Sequence, residues 1–153
     1  KRASSTRAAS LASTLAVLAN IERELGQLDE ALAHSTESLA LRRQVYGNDS
    51  PMLSSGLVTQ ARVLAELRRD SEAIALLDEA IDLHARLGNQ DSAAAANAYF
   101  ERGRFLLERG SAQEALPLLE RAHAILAAHL PQGASMPERY EQALVAARAA
   151  TAR

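Results

Sequence analysis

Three stretches of this chain, Leu15 to Leu41, Leu57 to Leu83 and Tyr99 to Ile125, align without a gap at a spacing of 42 residues. The alignment rests on small residues. Ala31, Ala73 and Ala115 each follow a glutamate; Ser38, Ala80 and Ala122 come seven residues later; Ala19, Ala61 and Gly103 stand twelve residues before. A period of roughly 20–50 residues marks repeats in which one supersecondary unit cannot bury its apolar face alone and stacks on its neighbours. The repeat therefore excludes most globular architectures before any single motif is considered.

Within each unit the apolar residues run at helical spacing, in the first as Leu15, Leu18, Ile21 and Leu25, then Leu28, Leu32, Leu39 and Leu41. Alanine and leucine together fill about 37% of the chain and only five residues are aromatic, a balance that favours helices over strands. Gly26 and Gly110 mark the turn inside the first and third units, and Arg68 stands at that place in the second. Asp29, Asp70 and the Ser111/Glu114 capping box signal helix starts, whereas Gly47, Gly88 and Gly133 signal helix ends. The spacing predicts seven helices, over 8–25, 29–46, 51–67, 71–87, 91–109, 112–129 and 137–151. Pro117 falls inside the sixth, where a local kink is expected. The expected fold is all-α, with residues 1–153 as one domain: repeats at about 12–50, 51–91 and 92–135, and a capping helix at about 137–151.

The absence of cysteine removes disulfides, thiolate nucleophiles and Cys-ligated metals together. A net charge of −2, with basic and acidic residues interspersed, leaves no stripe for nucleic acid. No apolar run approaches the roughly 18 residues that a membrane span needs. Lys1-Arg2-Ala3 followed by Leu11 to Leu18 superficially resembles a signal peptide, but the stretch also fits the repeat pattern. The chain does not begin with Met and is read as an excised or processed segment. Sixteen of its 17 basic residues are arginine, as in a GC-rich, bacterial coding sequence.

The residues Leu15, Leu18, Ala19, Gly26, Ala31 and Ser38, then Leu57, Ala61, Ala73 and Ala80, then Tyr99, Gly103, Gly110, Ala115 and Ala122 make the chain resemble the tetratricopeptide repeat (TPR) family. Its period exceeds the usual 34 residues and is similar to the kinesin-light-chain subtype, as is the segment Tyr46-Gly47-Asn48-Asp49-Ser50-Pro51. Gln60, Arg102, Glu22, Asp70 and Ala112 depart from the family pattern. The resemblance implies an α-solenoid, a right-handed superhelix whose concave wall is lined by the first helix of each pair. It also implies a protein–protein interaction scaffold without catalytic activity or cofactor.

Carried onto this chain, the groove positions of the family give two columns, Asn20, Arg62, Arg104 and Glu24, Glu66, Glu108, with Val58 and Phe100 as apolar contacts. Two arginines and an asparagine suit the backbone and acidic side chains of a bound segment. The plainer alternative makes Arg62–Glu66 and Arg104–Glu108 surface i, i+4 pairs. Asn20 matches a position that clamps a terminal carboxylate, but Ala16, Val58, Asn97 and Glu101 occupy the places of its partners, so such a clamp is not expected. His34, His84, His123 and His129 lack metal-ligand spacing and are expected to be exposed or at helix ends; no metal or catalytic residue is assigned.

The partner expected is a protein or peptide segment, not nucleic acid or a membrane, bound by a cytoplasmic chain that is a monomer or weak homodimer. The rival reading is a regulatory, self-associating or ligand-sensing segment of a larger bacterial signalling protein such as a kinase, transcription activator or ATPase.

Overall fold

The computed structural model describes residues 2–152, with side chains from residue 4 onward. Among these residues seven α-helices follow one another: α1 (Arg2–Glu24), α2 (Leu28–Tyr46), α3 (Ser54–Glu66), α4 (Asp70–Arg86), α5 (Ala93–Glu108), α6 (Ala112–His129) and α7 (Glu138–Thr151). A short 3₁₀ turn, Pro51–Leu53, leads into α3. The fold is all-α and repetitive. The chain forms two compact units, Lys1–Leu87 and Gly88–Arg153.

In the first unit α1 packs along α2, α3 along α4, and α2 joins the two pairs by packing on α3. In the second, α5 packs along α6, and α7 covers α6. The small-residue columns are where these helices meet. Ala19, Ala61, Ala31, Ala73, Ala115, Ala80 and Ala122 are wholly buried, and so in effect is Ser38. A Cβ added at Gly103 would stand 2.7 Å from Leu119 Cγ, so α5 and α6 approach there only without a side chain. Ser38 keeps its place among alanines by donating its hydroxyl to the Ala12 carbonyl at 2.6 Å, which satisfies a buried polar group with a backbone acceptor of the neighbouring helix.

The three turns inside the pairs are built alike. Gly26, Arg68 and Gly110 all lie in the left-handed region, at φ 77°, 60° and 84°. The amides of Gln27, Arg69 and Ser111 donate to Glu22, Leu64 and Leu106, and those of Gly26, Arg68 and Gly110 donate to Arg23, Ala65 and Leu107. This paired bonding is the Schellman ending, which satisfies carbonyls left over at a helix C-terminus. Arg68 therefore takes the conformation that glycine takes in the other two units.

The residue after each left-handed position also starts the next helix. Gln27, Arg69 and Ser111 accept the amides of the anchor residues Ala31, Ala73 and Ala115 at 3.0, 3.1 and 3.0 Å. The capping box expected at Ser111 does not form: the residue sits at φ −92°, ψ 57°, outside the extended region an N-cap uses, and its side chain caps nothing. Its amide is committed to the preceding helix, which fixes that conformation. Ser92 and Ser50, after longer joins, are extended and cap Ala95 and Met52.

The structure departs from the sequence pattern at two further places, on α1 and at His84. Leu18, Ile21 and Leu25 are exposed, because among the described residues no helix covers that side of α1. His84 is wholly buried and bonded to Ser54 Oγ at 2.9 Å, tying α4 to α3. On α7, Tyr140, Leu144 and Ala147 face the core, while Val145 points outward. Helix α6 runs unbroken through Pro117.

Candidate functional site

The polar columns lie on the first helix of each pair, divided between the units: Asn20, Glu24, Arg62 and Glu66 in the first, Arg104 and Glu108 in the second. In the first unit Asn20 is half-buried. Its Nδ2 donates to the Ala16 carbonyl one turn back at 3.0 Å, while its Oδ1 is buried without a hydrogen-bond partner among the described residues. Arg62 is half-buried on α3. Glu66 receives a short charge-assisted hydrogen bond from Arg23 of α1, and Arg23 also lies 3.5 Å from Glu24. The two glutamates of this column are thus bridged by one arginine that sequence spacing did not single out.

Arg23 occurs at the offset of Ala65 and Leu107, so it belongs to no repeating column. Its signal was only that it precedes Glu24 on the side facing α3. Above it, His34 Nδ1 and Glu22 Oε2 approach to 2.7 Å, which explains how a carboxylate is accommodated where the family prefers an aromatic ring. Arg43 of α2 donates to both oxygens of Glu79 on α4 at 2.7 and 2.9 Å, a second tie between pairs.

In the second unit the arginine of the column is closed in by acids. Arg104 donates to Glu101 through Nε and Nη2 at 3.1 and 2.9 Å and to Glu108 through Nη1. Glu101 is only 4% exposed, so this guanidinium neutralises a buried carboxylate as well as forming the expected i, i+4 pair.

Val58 and Phe100 are not the apolar surface expected of them. They are 3% and 2% exposed and belong to the core. The ring of Phe100 stacks on Tyr140 of α7 with centroids 4.1 Å apart, and Arg139 lies over both rings at 5.4 and 5.2 Å. Tyr99 is buried too, beneath Arg121, and Phe105 carries Arg109 on its face. Burial pushes the Tyr140 phenol above its ordinary pKa, with Arg139 pulling the other way.

Among the described residues no group of three or more His, Cys, Asp or Glu is placed to hold a metal ion, and no helix is long and apolar enough to cross a membrane.

The sequence profile described as Tetratricopeptide repeat matches residues 10–84, which run from within α1 to near the end of α4. No curated protein matches the sequence. Solved structures share the fold at low identity. BtubC (BKLC) from P. vanneervenii is 23% identical with a TM-score of 0.76, over 93% of this chain and 57% of that one. A Podosopora anserina protein named as a kinesin light chain, with nearly identical TPR-like repeats, is 23% identical with a TM-score of 0.80, over 95% and 68%. A TPR-like protein from Chlorobium tepidum is 18% identical with a TM-score of 0.68, over 97% and 96%. The chain thus spans little more than half the length of the first of these.

Proposed function

Because this chain belongs to the tetratricopeptide repeat family, whose members generally act as non-catalytic protein-interaction scaffolds, we propose that it binds a protein or peptide segment along the first helices of its pairs. The observation that supports this most is the polar strip of the first unit. Asn20, Glu24, Arg62 and Glu66 lie on α1 and α3, and the Arg23–Glu66 ion pair draws those two helices together. Groups of this kind serve a polypeptide's amides, carbonyls and acidic side chains. Arg62 is the cationic contact of the first unit in this reading. Arg104, held between two carboxylates, contributes mainly to the fold.

The two roles separate in one experiment. Arg62→Glu and Arg104→Glu are compared with the parent in a pull-down from the source organism, each alongside a circular-dichroism melt. Arg62→Glu is expected to stay folded and to lose acidic partners, with every tenfold in affinity equal to about 1.4 kcal/mol. Arg104→Glu is expected to melt lower, because Glu101 loses its cation. Equal capture by the parent and a fully folded Arg62→Glu would overturn the proposed surface.

A further inference from the structure

We propose that Arg23 sets the charge selectivity of the first unit's wall: by holding Glu24 and Glu66 it lets acidic segments approach, and without it the wall selects basic ones. The inference rests on the peptide-binding reading above and assigns a positioning residue within it.

Three consecutive charges end α1, and each is turned to a different place. Glu22 is buried against α2, with His34 Nδ1 at 2.7 Å from its Oε2. Arg23 lies towards α3, its Nη1 2.5 Å from Glu66 Oε1 and its Nη2 3.5 Å from Glu24 Oε1. The Arg23 side chain is only 13% exposed, whereas those of Glu66 and Glu24 are 43% and 70% exposed. A bound segment therefore meets two carboxylates with the cation that balances them set behind. The Arg23 Nε is buried and has no acceptor among the described residues, so these two acids are what hold the guanidinium.

The position is not a property of the repeat. One and two repeats on, the same offset carries Ala65 and Leu107, and in the second unit Glu108 is held by Arg104 of its own helix. In the first unit the balance comes from a neighbouring helix instead. Ion pairs whose carboxylates stay in water add little to stability, so the arrangement acts chiefly on what approaches it. With Arg23 in place the wall carries Arg23 and Arg62 against Glu24 and Glu66, and an acidic side chain reaches Asn20 and Arg62 without net repulsion. With Arg23 removed, two exposed carboxylates stand against Arg62. The resulting excess of negative charge repels acidic segments and attracts basic ones, and charge of this kind decides which partner docks.

The test measures two fluorescein-labelled peptides of equal length, one Glu-rich and one Lys-rich, binding to the whole chain at low salt by fluorescence anisotropy. The parent is expected to favour the Glu-rich probe; a parent that favours the Lys-rich one would overturn the proposal. Arg23→Met keeps an unbranched apolar stem and loses the charge. It is expected to weaken the Glu-rich probe and tighten the Lys-rich one, moving their ratio about tenfold, an effect that fades as salt screens the wall. Adding Glu24→Gln and Glu66→Gln to Arg23→Met is expected to return the preference to the Glu-rich probe. A folded Arg23→Met that weakens both probes alike, or leaves their ratio unchanged while Arg62→Glu still weakens the Glu-rich probe, would reduce Arg23 to a tie between helices and leave the peptide-binding surface standing. A parent that binds neither probe, or is indifferent to Arg62→Glu, would overturn that surface and this inference with it. Where Arg23→Met does not fold, Glu24→Gln at its exposed position takes its place: it is expected to tighten the Glu-rich probe, and an unchanged affinity would overturn the proposal.

Discussion

At Arg68 a side chain occupies a backbone conformation that the other two repeats give to glycine. A left-handed residue with a Cβ costs about 1 kcal/mol relative to glycine, partly offset by the greater freedom of glycine in the unfolded chain. Arg68→Gly is accordingly expected to raise stability by about 0.5–1 kcal/mol, read as a higher urea midpoint at unchanged slope. Gly26→Ala should lower it by a similar amount, since its Cβ would meet no atom within 4 Å and only the backbone is affected. Tyr140 gives a second prediction at this scale. Its phenol titrates higher in the folded chain than in the unfolded one, so the neutral form stabilises the fold fully below the unfolded pKa of about 10 and the contribution falls as pH rises past it. Melting temperature should therefore drop more steeply above about pH 10 in the parent than in Tyr140→Phe.

Among the elements, the helix pairs were legible because close approach leaves a trace in residue size. Ala73 is wholly buried where α3 and α4 converge, and Ala73→Leu is expected to cost about 1–3 kcal/mol by overpacking, measured by chemical denaturation. A variant melting with the parent would contradict the helix register. Helix ends were less legible. Ser111 with Glu114 has the letters of a capping box, but a one-residue turn makes Ser111 the last bonded residue of one Schellman ending and the first of the next helix, and the first role decides its φ and ψ. Val58 and Phe100 were misplaced for a different reason. Phe100 is buried because Tyr140 of α7 lies over it, and nothing within the repeat announces a neighbour 40 residues away. The polar columns were readable as columns, but not the second carboxylate on Arg104: Glu101 lies three residues before it on the same helix and breaks the period. Deleting residues 137–153 should uncover Phe100 and be seen as aggregation or a lower melt.

For the whole molecule, the first unit contains its own ties. Arg23–Glu66, Arg43–Glu79 and His84–Ser54 all join one helix to another within Lys1–Leu87. A fragment of residues 1–87 is expected to fold by itself and to melt cooperatively in circular dichroism; a fragment that stays a coil would show that repeats beyond it are needed for stacking. Four of the five aromatic residues, Tyr99, Phe100, Phe105 and Tyr140, belong to the second unit, and there is no tryptophan. Tyr46 is the one aromatic residue of the first unit and is exposed, so near-ultraviolet ellipticity, which needs rings held in packed surroundings, reports mainly the second unit, whereas far-ultraviolet ellipticity sums both. Overlaying the two signals during one thermal ramp separates the unfolding of each half without a label or a cut in the chain.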